Sequence, residues 1–147
     1  MKNLYVENEP DFFILKRNVH SIISQLKKEL NFSINFLQIN FVGAKQITLI
    51  NEKYLSHKGS TDIITFNYSD NTFNLDGECY ICIPVAEENA RKFGVSLQNE
   101  LLRLIVHGIL HLLGFDDIKK SDRQKMKAEE DRLIKLLSNN DLKVITV

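Results

Sequence analysis

The stretch "HGILHLLGFDD", residues 107–117, holds the residues with most chemistry to offer. His107 and His111 stand four apart in a run of Leu, Ile and Val. On a helix, residues at that spacing share one face, one turn apart. Two imidazole nitrogens can then meet at one point, as a tetrahedral metal requires. Leu104, Ile105, Val106, Ile109, Leu110, Leu112 and Leu113 predict a helix buried on most sides. Unpartnered imidazoles would be costly in such surroundings. A carbonyl or carboxylate would satisfy a lone histidine. A pair followed by Gly114 and two aspartates points instead to metal ligation.

Spacing supplies a third ligand. Gly114 lets the chain leave the helix, and Asp117 falls six residues after His111. This is the H-x-x-x-H-x-x-G-x-x-ligand spacing of the metzincin proteases. A carboxylate is an acceptable zinc ligand beside two imidazoles, and three protein ligands leave a position for water, as in catalytic sites. Asp116 competes for the place. Spacing favours Asp117, which leaves Asp116 to hold the turn or to support a ligand histidine from behind. Zinc proteases of this pattern carry a glutamate base directly after the first histidine. Here that residue is Gly108. The metal cage is shared and the reaction is expected to differ.

The elements that must position these residues read as strands alternating with helices. "LYVEN" suits a first strand, and Asp11 to about Leu30 a helix with Asp11 as N-cap after Pro10. "FSINFLQINFV" is a strand, "KQITLINEKYL" a helix, and "STDIITFNY" and "ECYICI" are strands separated by a polar turn region from Ser69 to Gly77. Pro84 opens a helix that Gly94 ends. Ser96 caps the histidine helix, Leu97–Leu113. A further amphipathic helix covers about Ile118–Leu137, and "LKVITV" is a short strand or a loose tail. The expected architecture is α/β (α+β): one mixed sheet of about four strands under about five helices, with the metal site on a buried central helix.

No repeat or linker divides the 147 residues, which predicts a single domain over 1–147. Nineteen basic and nineteen acidic residues cancel, so any anion-binding surface must be local. An acidic pair near the N-terminus argues against a signal peptide, and "LLRLIVHGILHLLGF" is too short and interrupted to span a bilayer. A soluble cytoplasmic protein is expected. Cys79 and Cys82 form a C-x-x-C without a second ligand pair. On a strand they point to opposite faces, so two reduced, partly buried thiols are expected.

"HGILHLLGFDD" closely resembles the H-G-x-L-H-L-x-G-Y-D-H signature of the YbeY family, bacterial endoribonucleases of ribosomal RNA maturation. "NEKYLSHKGSTDIITF" (51–66) resembles its N-x-x-[YF]-R-x-K-x-x-P-T-D-V-L-S-F, and "LDGECYICI" is similar to its L-G-D-I-V-I-S strand. Order and spacing fit over most of the chain. Three positions depart: Asp117 stands where the family has its third metal histidine, Leu55 replaces its arginine, and Ser60 its proline. Lys53, His57 and Lys58 lie near that arginine position in sequence. The resemblance implies one zinc ion held by His107, His111 and Asp117 and no nucleotide cofactor. It also implies hydrolysis of single-stranded RNA by metal-activated water, on ribosomal RNA precursors or the ribosome. Gly108 is then expected to leave room for a phosphate, and Asp62 and Glu100 are further carboxylates able to orient water. "KKSDRQKMK" (119–127) has a local excess of positive charge, with Lys119, Lys120 and Arg123 as candidate phosphate contacts. Arg91 and Lys92 are a weaker second patch. Two alternatives stand beside this reading: another metal-dependent hydrolase, such as a divergent metzincin-like peptidase, and a non-enzymatic ribosome-assembly factor that binds RNA around a structural metal.

Overall fold

A computed structural model of the chain describes residues 2–70 and 73–146. Alternating apolar residues form β1 (Leu4–Asn8) and β2 (Ser33–Val42), which pair in parallel. Between them runs α1 (Lys16–Leu30), burying Val19, Ile22, Ile23 and Leu26 at helical spacing. After β2 come α2 (Ala44–Leu55), β3 (Ile63–Asn67) and β4 (Asn74–Cys82). The sheet order is β1-β2-β4-β3, with β4 parallel to β2 and antiparallel to β3. Then follow α3 (Ile83–Phe93), α4 (Leu97–Leu112) and α5 (Lys120–Ser138). Among the described residues this is the expected mixed sheet of four strands with five helices.

Several boundaries differ from the sequence expectation, each for a tertiary reason. Asp11 caps nothing: α1 begins at Lys16 after Leu15, with no side-chain cap. The chain before it is held by the tail, since Leu15 N donates to Val144 O at 2.8 Å and Ile14 bridges antiparallel to Ile145. The tail is therefore anchored: Gln98 Oε1 accepts from Val144 N at 2.7 Å, and Val144 is fully buried. β4 starts at Asn74, inside the expected turn region. Pairing with β2 along Asn74–Asp76, joined by β3 from Gly77 onward, outweighs the poor strand propensity of Asn, Asp and Gly. Of that turn region, residues 71 and 72 lie outside the described residues, as does Val147 of the tail.

The sheet has two differently covered faces. Leu75, Cys79 and Ile81 of β4 join the main core with α1, α4 and α5, whereas Cys82 belongs to a smaller cluster with Val42, Ile47 and Ile64, on the α2 side. The two cysteines are free and buried, in separate clusters, as residues three apart on a strand must be. α4 comes very close to the sheet. A Cβ on Gly108 would stand 3.0 Å from Cys79 Sγ and 3.1 Å from Ile63 Cδ1. On Gly77 it would stand 2.4 Å from the Phe66 carbonyl oxygen and 2.9 Å from Leu112 Cδ2. Gly108 thus faces the sheet, and its missing side chain permits close packing rather than the phosphate room expected from sequence.

Candidate metal centre

α4 is capped as its sequence predicts, with Asn99 N donating to Ser96 Oγ at 3.0 Å. It is buried along nearly its whole length, and only its last turns bring imidazoles toward solvent. At its C-terminal end Gly114 takes φ +98°, and Phe115 N returns to Leu110 O at 3.0 Å. This left-handed turn sends the chain back over the histidine face. Asp116 Oδ1 accepts from Ile118 N at 2.8 Å, and Arg123 Nη1 donates to Ile118 O at 2.8 Å. Asp116 therefore holds the turn, the first of the two roles expected for it. Arg123, expected to meet phosphate, has one guanidinium nitrogen engaged in that turn.

Between those ties sits Asp117. Its Oδ2 lies 3.5 Å from His111 Nε2 and 4.0 Å from His107 Nε2, and the two Nε2 atoms are 3.0 Å apart. Side-chain exposure rises from 19% and 27% at the histidines to 47% at Asp117, so the cluster opens on one side to solvent. The trio is drawn together by the fold, one atom each, all within 4.8 Å.

Proton placement decides whether these residues suit a cation. His107 Nδ1 lies 3.1 Å from Glu130 Oε2, a carboxylate that only accepts, so Nδ1 carries the proton. The Asp117 carboxylate and the backbone of Phe115 favour the protonated His111 ring, against its burial. Burial, and then the neighbouring His107, hold the His111 imidazole below its ordinary 6.5, so it is neutral near pH 7, the form that binds metal. The two Nε2 atoms and a carboxylate oxygen thus converge. With each ring carrying its proton on Nδ1, all three would offer lone pairs to a cation. Zinc bonds of about 2.0–2.1 Å place tetrahedral ligands about 3.3–3.4 Å apart, and the observed triangle brackets that value. The donor set fits a zinc ion.

Glu130 was not singled out by sequence reasoning, although a signal existed. It stands on the apolar stripe of α5, between buried Met126 and Leu133, where a carboxylate needs a reason to be buried. Its other oxygen accepts from Arg103 Nη1 at 3.3 Å. Arg103 also grips Glu100 through Nε at 2.9 Å and Nη2 at 2.7 Å. Asn89 Nδ2 lies 3.4 Å from Glu100 Oε2 and 3.2 Å from Asp62 Oδ2. Glu100, expected to orient water, is 1% exposed and bound to Arg103. Glu100 and Asp62 belong to the polar chain behind the cluster rather than to the cluster. Lys119 and Lys120 are exposed at the start of α5, beside the turn.

Residues 5–138 match a family model described as endoribonuclease YbeY. Relatives described as endoribonuclease YbeY include one from Chlorobium limicola, 42% identical over 111 residues and covering 76% of each chain. Another, from Amoebophilus asiaticus, is 35% identical over 82% of this chain and 78% of its own. A solution structure of a Thermotoga maritima protein aligns over 93% of both chains with a TM-score of 0.64 at 25% identity.

Proposed function

Because this chain belongs to the YbeY family, whose members it matches over most of its length, we propose that it is a zinc-dependent endoribonuclease. In this reading residues 1–147 act as one hydrolase domain in the cytoplasm. The domain hydrolyses phosphodiesters of single-stranded RNA in ribosomal RNA maturation and ribosome quality control. Its partners are ribosomal RNA precursors and the ribosome, and it uses no nucleotide cofactor. Among the described helices none is long and apolar enough to cross a membrane.

One observation carries the reading: three lone-pair donors converge at the solvent-facing end of an otherwise buried helix. His107, His111 and Asp117 would hold the zinc. When bound there, zinc neutralises phosphoryl charge and lowers the pKa of water toward ~7. The chain's own residues do the rest. Glu130 keeps the His107 proton on Nδ1, and so keeps Nε2 free. Asp116 and Arg123 fix the turn that delivers Asp117. Lys119 and Lys120, exposed beside that turn, meet the phosphates of the strand. A peptidase would need a glutamate at position 108, where close packing against Cys79 and Ile63 leaves no room.

The test is cleavage of single-stranded RNA by the purified protein with zinc, beside a His111→Ala variant. Wild type should cleave RNA and bind about one zinc per chain, and the variant should lose both. Turnover of peptides with RNA left intact would overturn the reading, as would full RNA cleavage by the metal-free variant.

A further inference from the structure

A hollow of about 660 Å³ lies between the end of α3 and the outer faces of α4 and α5. Phe93, Val95, Arg103, Lys127, Ile134 and Lys135 line it. Phe93 is 61% exposed and Val95 38%, an apolar surface that the fold itself leaves uncovered. The carboxylates in the wall are already engaged: Glu100 by Arg103 at 2.7 Å and Asp131 by Lys127 at 3.4 Å. No ion pair among the described residues engages Lys135, or Lys92, whose Nζ stands 5.8 Å from the Phe93 ring centroid. The hollow is thus an aromatic wall with surplus positive charge.

Its position ties it to the metal centre. Arg103 lies one turn before His107 on α4, about 6 Å along the axis, and touches Glu130, which holds His107. A second hollow, of about 600 Å³, shares Lys127 and Asp131 and continues along α5 past Arg123 to Lys120, next to the turn that carries Asp117. The two together form a trough from the metal-side turn to Phe93.

Resting on the RNA reading above, we propose that the hollow at Phe93 binds an unpaired nucleobase of the substrate strand, several nucleotides along the trough from the cleaved phosphate. The base stacks on the Phe93 ring, and Lys92 and Lys135 meet the flanking phosphates. Every base has a π-face, so this subsite selects single strands over duplexes without selecting sequence. An amphipathic protein helix would want a row of apolar anchors, whereas here cations alternate with them.

The chain contains no tryptophan, so Phe93→Trp installs a sole indole fluorophore at the stacking position. A short single-stranded oligoribonucleotide should quench it saturably, while the same strand in a duplex quenches far less and inorganic polyphosphate not at all. In steady state Phe93→Ala should raise KM for RNA roughly tenfold, with the effect falling on KM rather than kcat. The ring is mostly exposed, so melting should stay as in wild type. Cleavage of RNA by wild type together with unquenched indole fluorescence in Phe93→Trp, or an unchanged KM in Phe93→Ala, would overturn the subsite and leave the nuclease reading standing. Equal quenching by polyphosphate would reduce the site to a charge patch, and quenching by peptide alone would make it a protein-docking surface; either result overturns the proposal. Neither binding nor cleavage by wild type would remove both readings together.

Discussion

Glu130 decides which nitrogen of His107 faces the cluster. With Oε2 at 3.1 Å from Nδ1, and Arg103 steadying the other oxygen, the carboxylate fixes both the tautomer and the ring plane. Glu130→Gln keeps the shape and an accepting oxygen but removes the charge. Residues in this supporting position govern metal affinity by roughly 10–100-fold, so the variant should bind zinc about tenfold more weakly in competition with a chromophoric chelator, with an unchanged circular dichroism spectrum. Equal affinity would show that the carboxylate only fills space. At this scale the sequence was most informative where chemistry and periodicity coincide. His107 and His111 are legible from spacing alone. Asp117 follows from the glycine turn, while Glu130 is hidden because its partner lies 23 residues away on another helix. No local pattern announces a pairing across that distance.

The seating of α4 on the sheet shows what one element demands of its neighbours. Gly77 lets β4 pass beneath Leu112 while pairing with β3, and a methyl group there would meet the Phe66 carbonyl oxygen, a backbone atom that cannot swing aside. Gly77→Ala should therefore destabilise the protein by about 1–3 kcal/mol, read as a lower urea midpoint at unchanged slope; an unshifted midpoint would mean the helix rides higher than described. Beside that contact, burial pushes the Cys79 thiol up to about 12, with Glu78 adding to the effect. Between the ordinary 9.0 and about 12, an unfolded chain has lost a proton that the folded chain retains. Stability is then lost as pH rises through that window. The urea midpoint should fall from pH 9 to about pH 11, and Cys79→Ala should flatten the fall; identical slopes in both proteins would assign the alkaline loss elsewhere. The strands themselves could be read from alternation. The extension of β4 back to Asn74 could not, because its support comes from pairing with β2 rather than from its own residues.

At the scale of the whole molecule, the parts that escaped sequence reading are long-range ties. The strand order β1-β2-β4-β3 places β4 centrally by pairing alone, and the tail is held by Gln98 and Leu15, more than forty residues away. The cluster of His107, His111 and Asp117 is another such tie. It joins the end of α4, the turn carrying Asp117 and, through Glu130, the middle of α5. A cation bound there holds three segments in one arrangement that the unfolded chain cannot reproduce, so binding must add to folding stability. At a free zinc concentration of 100 times Kd the gain is about 2.7 kcal/mol. For a chain of this size that raises Tm by about 5–10 °C. Thermal melts of chelator-treated protein, with and without added zinc, should show the rise in wild type and none in His111→Ala, while magnesium, which prefers oxygen ligands, should leave both unchanged. A rise of the same size in His111→Ala would place the stabilising ion elsewhere. No rise in wild type would mean that the converging donors do not hold the metal they are shaped for.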